Sequence, residues 1–297
     1  MISESTIDKV RNLAIEDILK PYIRLHERID VDGLCPFHSE RTGSFAVTPG
    51  KNLFHCFQLQ PWWDGITFIM EKENLTFMEA VTFIAKNNGI PIEYSDEERS
   101  EEELLEVKHK ESLLIILDHL QRFFVEYLRV ATTDESRIAR EYAYGRWSEE
   151  FCSIAGIGYA PKDGSSFIEQ CRREGISEES LFELGMFKRG EDDGIYAMFR
   201  QRIMIPVRNR WGRIIAYTAR YIGNNEKAPK YINSSTSIIY SKGETCSGLT
   251  GASRQRDVDY FIIVEGAPDV LRMQSIGFDN TIAALGTAWT DSQFDQL

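Results

Sequence analysis

Cysteine is scarce in this chain of 297 residues, and its five copies are scattered and odd in number. This usage does not fit a secreted scaffold stapled by disulfides. The sequence also lacks a signal-peptide core and any apolar run long enough to cross a bilayer, so we expect a cytoplasmic protein without a membrane partner. No G-x-x-x-x-G-K-[ST] motif occurs, which excludes a P-loop helicase motor within these residues.

Basic residues are outnumbered overall, giving a formal net charge of −12, but one segment runs against this trend. Between Phe199 and Lys242 the chain carries nine basic residues, interleaved with aromatic ones, and a single acid, Glu226. We call this segment the basic stripe; its cations are Arg200, Arg202, Arg208, Arg210, Arg213, Arg220, Lys227, Lys230 and Lys242. Cations hold phosphates and aromatic faces stack on bases, so the stripe predicts a groove for single-stranded nucleic acid rather than only a solvated face.

Two apolar runs near the C-terminus, 261–264 and 281–285, each predict a buried strand. The segment between them, from Pro268 to Ile276, predicts a crossover helix, so the two strands are expected to be parallel.

Polar residues and glycines follow both runs: Glu265-Gly266 after the first, with Asp269 four residues beyond the Glu, and Gly286-Thr287 after the second. The carboxyl ends of parallel strands meet at the edge where α/β sheets bind ligands. The pattern therefore predicts metal or phosphate chemistry at this edge. The alternative is that Glu265 only caps the following helix.

Several motifs occur in the order in which bacterial DnaG-type DNA primases carry them, and the chain resembles that family over most of its length. The matching segments are CPFH, FAVTP, LFHCF and FIMEKENLTFMEAV in the first ninety residues, REYAYGRWSEEFCSIAGIGYAP at 140–161, and RIMIPVRNRWGRIIAYTARYIG, PKYINSS, IYSKG, VEGAPDV and AALGT further on. The resemblance implies an α+β fold. A small zinc-ribbon-like domain with helices would precede a mixed α/β primase core that ends in the first βαβ unit of a topoisomerase–primase (Toprim) fold.

Charge and periodicity, taken with this resemblance, suggest four segments. Residues 1–94 are expected to form the zinc-binding-domain-like unit, a degenerate zinc ribbon. Residues 95–106 are an acidic run, interpreted as a linker or a solvated helix start. Residues 107–256, which begin with apolar positions at helical spacing, would form the basic N-terminal subdomain of the core, and 257–297 a truncated Toprim domain.

The zinc ligands implied by the family are incomplete in this sequence. Cys35 and His38 form a C-x-x-H pair and Cys56 follows, but Leu59 stands where the family has a fourth ligand, a cysteine. Three interpretations stay open. Zinc binds through the three residues, with water, His55 or Asp64 as fourth donor; or the ribbon is metal-free, with burial of Leu59, Trp62 and Trp63 replacing the metal; or the loop is altered.

The resemblance implies a nucleotidyltransferase that makes short RNA primers on single-stranded DNA during replication. Its partners would be the DNA template, ribonucleoside triphosphates, the RNA primer and a replicative helicase, and its cofactor Mg²⁺ or Mn²⁺. Glu265, as Mg²⁺ ligand or general acid/base, Asp269 and Lys230 would be catalytic. The residues that would bind nucleic acid or nucleotide are Arg200, Arg202, Arg220, Lys230, Tyr231, Asn233, Lys242, Gly266, Gly286 and Thr287.

A Toprim fold carries its principal metal ligands as a D-x-D pair on a third strand, and the sequence reaches Leu297 before any such strand. The only acidic residues after the second apolar run are Asp291 and Asp295, and they lie on a predicted helix. We therefore expect an N-terminal fragment of a primase that does not synthesise primers by itself. The alternative is a non-catalytic module that binds single-stranded DNA within a phage or mobile-element replication protein related to primase–helicases.

Overall fold

A computed structural model of the protein describes residues 2–23, 34–38, 40, 43–56, 63–94, 100–191, 193–252, 260–286 and 288–297. The chain divides into two compact units, Met1–Arg99 and Ser100–Leu297. Leu59, Trp62 and Thr287, which enter the sequence predictions, lie outside the described residues. None of the helices in the described ranges combines the length and apolar character needed to cross a membrane.

The fold is α+β, as predicted. The helices in the described ranges are α1 Glu4–Arg11, α2 Ile15–Leu19, α3 Gly65–Glu73, α4 Phe77–Asn87, α5 Glu101–Val130, α6 Asp134–Trp147, α7 Glu149–Ala155, α8 Gly164–Arg173, α9 Glu178–Glu183, α10 Leu249–Ala252, α11 Ala267–Gln274 and α12 Asp291–Phe294. The strands are β1 Phe45–Thr48, β2 Leu53–Cys56, β3 Gly158–Ala160, β4 Phe187–Arg189, β5 Ile195–Ala197, β6 Arg202–Arg208, β7 Ile214–Tyr221, β8 Tyr231–Asn233, β9 Cys246–Ser247, β10 Ile262–Ile263 and β11 Thr281–Ala284.

The first unit is a small antiparallel hairpin, β1–β2, packed against helices. Phe54 is its centre: the Phe54 ring lies 5.0 Å from the Phe45 ring and 5.3 Å from the Phe68 ring of α3. Helix α4 begins with a capping box in which Thr76 and Glu79 satisfy each other's backbone groups. The small ribbon with helices that the resemblance implies for this part of the chain is confirmed.

The second unit opens with the 30-residue helix α5, which begins at Glu101 behind a capping box formed by Ser100 and Glu103. The acidic residues up to Glu106 are therefore its solvated first turns, where carboxylates favour the helix dipole. The helix begins earlier than the expected start near residue 107, because capping and dipole interactions allow a charged segment to be helical without burial.

A four-stranded antiparallel sheet, in the order β3-β6-β7-β8, lies at the centre of the second unit. Side chains alternate between its two faces. Met204 and Tyr217 share a core cluster with Leu117 and Phe124 of α5, whereas Ile203 on the other face clusters with residues of α6 and α11. Polar residues on this second face consequently lie on the same side of the sheet as α6 and α11.

The C-terminal apolar runs form parallel strands β10 and β11 with α11 between them, and β9 pairs antiparallel with β11. The predicted parallel pairing and crossover helix are confirmed. The prediction that both runs are buried is right for β11 and wrong for the first run, where Ile263 is 52% exposed. Within the described sheet β10 is an edge strand, with β11 as its neighbour on one side.

Arg213 of the basic stripe is buried and stabilises the fold through ion pairs. Its side chain is 8% exposed and lies 3.1 Å from Glu111 and 3.3 Å from Asp118, both on α5. We expect Arg213→Ala to lower the free energy of unfolding by about 2 kcal/mol, because it leaves two partly buried carboxylates without this partner. Urea denaturation monitored by circular dichroism measures the change. A loss no larger than that of Arg210→Ala, an exposed arginine of the same turn, would contradict this role.

Candidate nucleic-acid interface and metal site

Four polar side chains of the stripe region lie on the α6 face of the central sheet. Arg220 of β7 is directly opposite Tyr231 of β8, and Thr218 is opposite Asn233. The Thr218 hydroxyl donates to Asn233 Oδ1 at 2.7 Å. Because β8 lies at the end of the described strand order, this face is a polar margin beside the apolar core.

Arg220 is held between two tyrosine rings. Its Cζ lies 5.2 Å from the ring centroid of Tyr142 on α6 and 5.3 Å from that of Tyr231. Its Nε donates a hydrogen bond of 2.8 Å to the Tyr142 hydroxyl. Burial raises the pKa of Tyr231; the neighbouring Tyr142 adds to the rise, and the charge of Arg220 opposes it. The guanidinium is therefore fixed by both cation–π attraction and a hydrogen bond.

Helix α6 also joins this face to the turn after β10. Trp147 Nε1 donates to the carbonyl of Pro268 at 3.3 Å, and Arg272 Nη1 donates to the carbonyl of Arg146 at 3.0 Å. Arg146 Nη2 lies 3.7 Å from Asp269 Oδ1. These contacts bring the β10–α11 turn, with Glu265 exposed at its start and Gly266 as the N-cap of α11, towards the sheet face that carries Arg220.

Lys242 is exposed and lies beside the carboxyl end of β11. A Cβ built on Gly286 would be 3.9 Å from Lys242 Cε. The buried Gln293 of α12 fixes this loop, since its Nε2 donates to the carbonyls of Lys242 at 3.1 Å and Thr245 at 2.9 Å. Lys242 and Gly286, which are far apart in sequence, are thereby neighbours.

The remaining cations of the predicted interface differ in environment. Lys230 is exposed next to Tyr231, and Arg200 is exposed beside Gly164 at the start of α8. Arg202 is buried: its Nη1 donates to the carbonyls of Ala219 and Pro229, and burial lowers its pKa. The guanidinium of Arg202 thus supports the chain before β8, while Lys230 is open to solvent.

The contribution of α6 was not predicted from the sequence. The basic stripe begins at Phe199, whereas Tyr142 and Arg146 come from the segment 140–161. Their spacing of four residues puts them on one face of a helix, which is the signal that could have identified them.

The first unit brings three metal-ligating side chains together. One ligand atom from each of Cys35, His38 and Cys56 lies within 4.8 Å of the others, and Cys56 Sγ is 3.8 Å from His38 Nδ1. Tetrahedral zinc separates sulfur and nitrogen ligands by about 3.6 Å, so the donor set fits zinc after a small contraction.

Glu40 fixes the orientation of the histidine. Its Oε2 is 3.0 Å from His38 Nε2, while its Oε1 accepts from the backbone amides of Cys35 and Ser44. Burial opposes ionisation of Glu40, but these hydrogen bonds prevail and lower its pKa to about 2. A carboxylate on Nε2 leaves Nδ1 directed at the thiols, as in carboxylate–histidine–zinc arrangements.

Neither of the alternative fourth donors joins the cluster of Cys35, His38 and Cys56 in the described residues. Asp64 Oδ1 caps α3 by accepting from Thr67, and the three-residue cluster includes neither Asp64 nor His55. The Trp63 ring packs 5.5 Å from Phe54 and 5.6 Å from Phe37, close in sequence to His38. Aromatic burial and a three-donor cluster therefore coexist in this unit.

Both units of the chain are similar to known protein families. Residues 2–100 match the CHC2 zinc finger family, and residues 123–253 match the N-terminal domain of the DNA primase catalytic core. The chain is 32% identical to the DNA primase of Pasteurella multocida over 269 residues, 90% of this chain and 45% of that protein. It is 32% identical to that of Halalkalibacterium halodurans over 98% of this chain and 48% of that protein. The chain thus spans about half the length of these curated relatives.

Solved structures show the same similarity. The zinc-binding and RNA polymerase domains of Aquifex aeolicus primase match with a TM-score of 0.64 and 29% identity, covering 98% of this chain and 69% of that one. A DnaG primase catalytic domain bound to single-stranded DNA matches with a TM-score of 0.57 and 30% identity, covering 64% of this chain and 61% of that one. Residues 2–100 and 123–253 are thus similar to two domains of bacterial DnaG-type DNA primases, and the chain resembles these primases along nearly its whole length.

Proposed function

We propose that these residues form the template-binding and partly catalytic N-terminal region of a DNA primase, which joins ribonucleotides into short RNA primers on single-stranded DNA. One observation carries the proposal: α6 brings Arg220, Tyr231 and Asn233 of the sheet to the same face as the turn that carries Glu265 and Asp269. The relative whose catalytic domain was solved with single-stranded DNA supports it.

The chemistry would be phosphodiester formation: a 3′-hydroxyl loses its proton and attacks the α-phosphate of a ribonucleoside triphosphate, the bond to the β-phosphate breaks, and pyrophosphate leaves. Arg220 would contact phosphate through the part of its guanidinium that Tyr142 does not occupy, and the exposed Lys230 and Lys242 would act as mobile point charges. A Mg²⁺ or Mn²⁺ ion, when bound, neutralises charge on the transferring phosphate. Glu265 is exposed in the turn after β10, where its carboxylate would act as a metal ligand or a general acid/base.

The first unit would bind zinc through Cys35, His38 and Cys56. Zinc accepts thiolate and imidazole donors, and Glu40 would hold the histidine in the ligating orientation. The replicative helicase would be a partner, and the cytoplasm the site of action, as for replication in bacteria.

A non-catalytic function is the second candidate. Within the described ranges the cluster of three metal-ligating residues is the Cys-His-Cys group, and no group of three carboxylates gathers near Glu265. A module with these residues could grip single-stranded DNA without synthesis. Incorporation of labelled ribonucleotides on a single-stranded template separates the two functions.

Binding of single-stranded DNA should weaken steeply with salt, because each phosphate contact releases counterions. Lys230→Ala and Arg220→Ala should each lower the slope of log affinity against log salt by about 0.7, the value for one contact on a single strand. Fluorescence anisotropy of a labelled oligodeoxythymidylate between low and moderate salt measures these slopes. Lys86→Ala, an exposed lysine of α4, is the control. An equal loss of slope in that control would show that the stripe is not the groove.

A further inference from the structure

We infer that Tyr142 is a positioning residue, which orients the Arg220 guanidinium so that it meets a phosphate group of the nucleic-acid backbone or of a nucleoside triphosphate. The inference rests on the proposed function and adds to it a residue outside the basic stripe.

Among the described residues, the hydrogen bond and the ring contacts of Arg220 are made to tyrosines. Its Nε donates to the Tyr142 hydroxyl, and Tyr142 and Tyr231 both lie within cation–π distance of its Cζ. Its Nη1 is buried and has no hydrogen-bond acceptor among the described residues. A structural arginine normally donates hydrogen bonds to a carboxylate or to backbone carbonyls, as Arg213 and Arg202 do in this same sheet. Arg220 is therefore held in place without a carboxylate or carbonyl partner among the described residues.

A guanidinium on a flexible stem loses conformational entropy when it grips a phosphate. Tyr142 removes part of that loss in advance, because its hydroxyl fixes Nε and its ring limits rotation of the planar group. The hydrogen bond at Nε also limits which edge of the planar guanidinium stays available to bind an anion. A lysine at 220 could use neither the planar stacking nor the Nε bond.

Tyr142 is itself held rigidly enough to act in this way. It lies on the 14-residue helix α6, and its ring is 6.1 Å from the Trp147 ring in an edge-to-face arrangement. Trp147 is 1% exposed, and its Nε1 donates a hydrogen bond to the carbonyl of Pro268. The position of the Tyr142 hydroxyl is thereby linked to the turn that carries Glu265 and Asp269.

The test is a double-mutant cycle between Tyr142 and Arg220, with Tyr144→Phe as matched control, since Tyr144 packs in the apolar cluster of the same helix. Affinities for a labelled oligodeoxythymidylate and for a labelled ribonucleoside triphosphate are measured separately. With Arg220 intact, we expect Tyr142→Phe to lower the affinity for the oligonucleotide, for the triphosphate or for both by about five- to tenfold. In the Arg220→Ala background the same substitution should have no effect, because the group that it positions is gone.

A second measurement needs no ligand. The Nε–H proton of Arg220 should give an NMR signal protected from solvent exchange in the wild type and in Tyr144→Phe, and lose that protection in Tyr142→Phe. A loss of affinity of equal size in both Arg220 backgrounds would overturn the inference, as would an unprotected Nε–H in the wild type. If Arg220→Ala binds both ligands like the wild type, the phosphate-binding role of Arg220 in the proposed function fails, and the inference fails with it even where the proton is protected.

Discussion

Replacing Glu265 by alanine in a polypeptide that synthesises primers is expected to reduce the rate of synthesis by about 10²-fold or more, the size of effect seen when a general acid/base is lost. Glu265 lies in the turn after β10 with an exposed side chain, whereas Asp269 Oδ1 lies 3.7 Å from Arg146 Nη2. Glu265 is thus the freer of the two carboxylates at this turn. Incorporation of labelled ribonucleotides with Mg²⁺ or Mn²⁺ on a single-stranded template measures the rate.

Glu179→Ala, which removes an exposed carboxylate from α9, is the control and should leave synthesis unchanged. Template binding should survive Glu265→Ala, because the cations of the sheet face are untouched. Full synthesis by the Glu265→Ala variant would remove this residue from the active site.

A polypeptide of residues 1–297 by itself is expected to bind template and make essentially no primer. Two metal ions about 4 Å apart require more carboxylates than Glu265 and Asp269 supply. Robust synthesis by these residues alone would contradict the expectation and favour metal ligands that the sequence analysis did not recognise.

The secondary structure could be predicted where a pattern is local. The parallel pairing of β10 and β11 followed from two apolar runs on either side of a predicted crossover helix. Exposure could not be predicted in the same way, because it depends on the neighbours of each strand. Ile263 is apolar yet half-exposed, since β10 is an edge strand in the described sheet.

Residue chemistry alone also could not separate the cations of the stripe. Arg202 and Arg213 have the same side chain as Arg220, but their guanidinium groups are occupied by carbonyls and by carboxylates of α5. Which arginine stays available depends on strand register and on the helix packed above it. Tyr142 illustrates the point: its partner Arg220 is 78 residues away in sequence.

Supplying a fourth ligand, the third thiolate, by Leu59→Cys is expected to tighten zinc binding by about 10²-fold or more. Four-ligand zinc sites bind with about 10–16 kcal/mol, so one ligand contributes roughly 3 kcal/mol. The unaltered protein, with three donors in the Cys35, His38 and Cys56 cluster, should retain less than one equivalent of zinc after mild chelation. Elemental analysis gives the stoichiometry, and competition with a chromophoric chelator gives the affinity.

Leu59→Ser is the matched control, because serine is close to cysteine in size but its hydroxyl is not a strong zinc ligand. This variant should bind zinc no more tightly than the unaltered protein. Burial raises the pKa of Cys35 to about 11 in the metal-free protein, so zinc must displace a proton and its affinity should fall as the pH is lowered. A full equivalent retained by the unaltered protein would show that another donor completes the site. No gain from Leu59→Cys would show that a thiolate at this position does not reach the other three ligands.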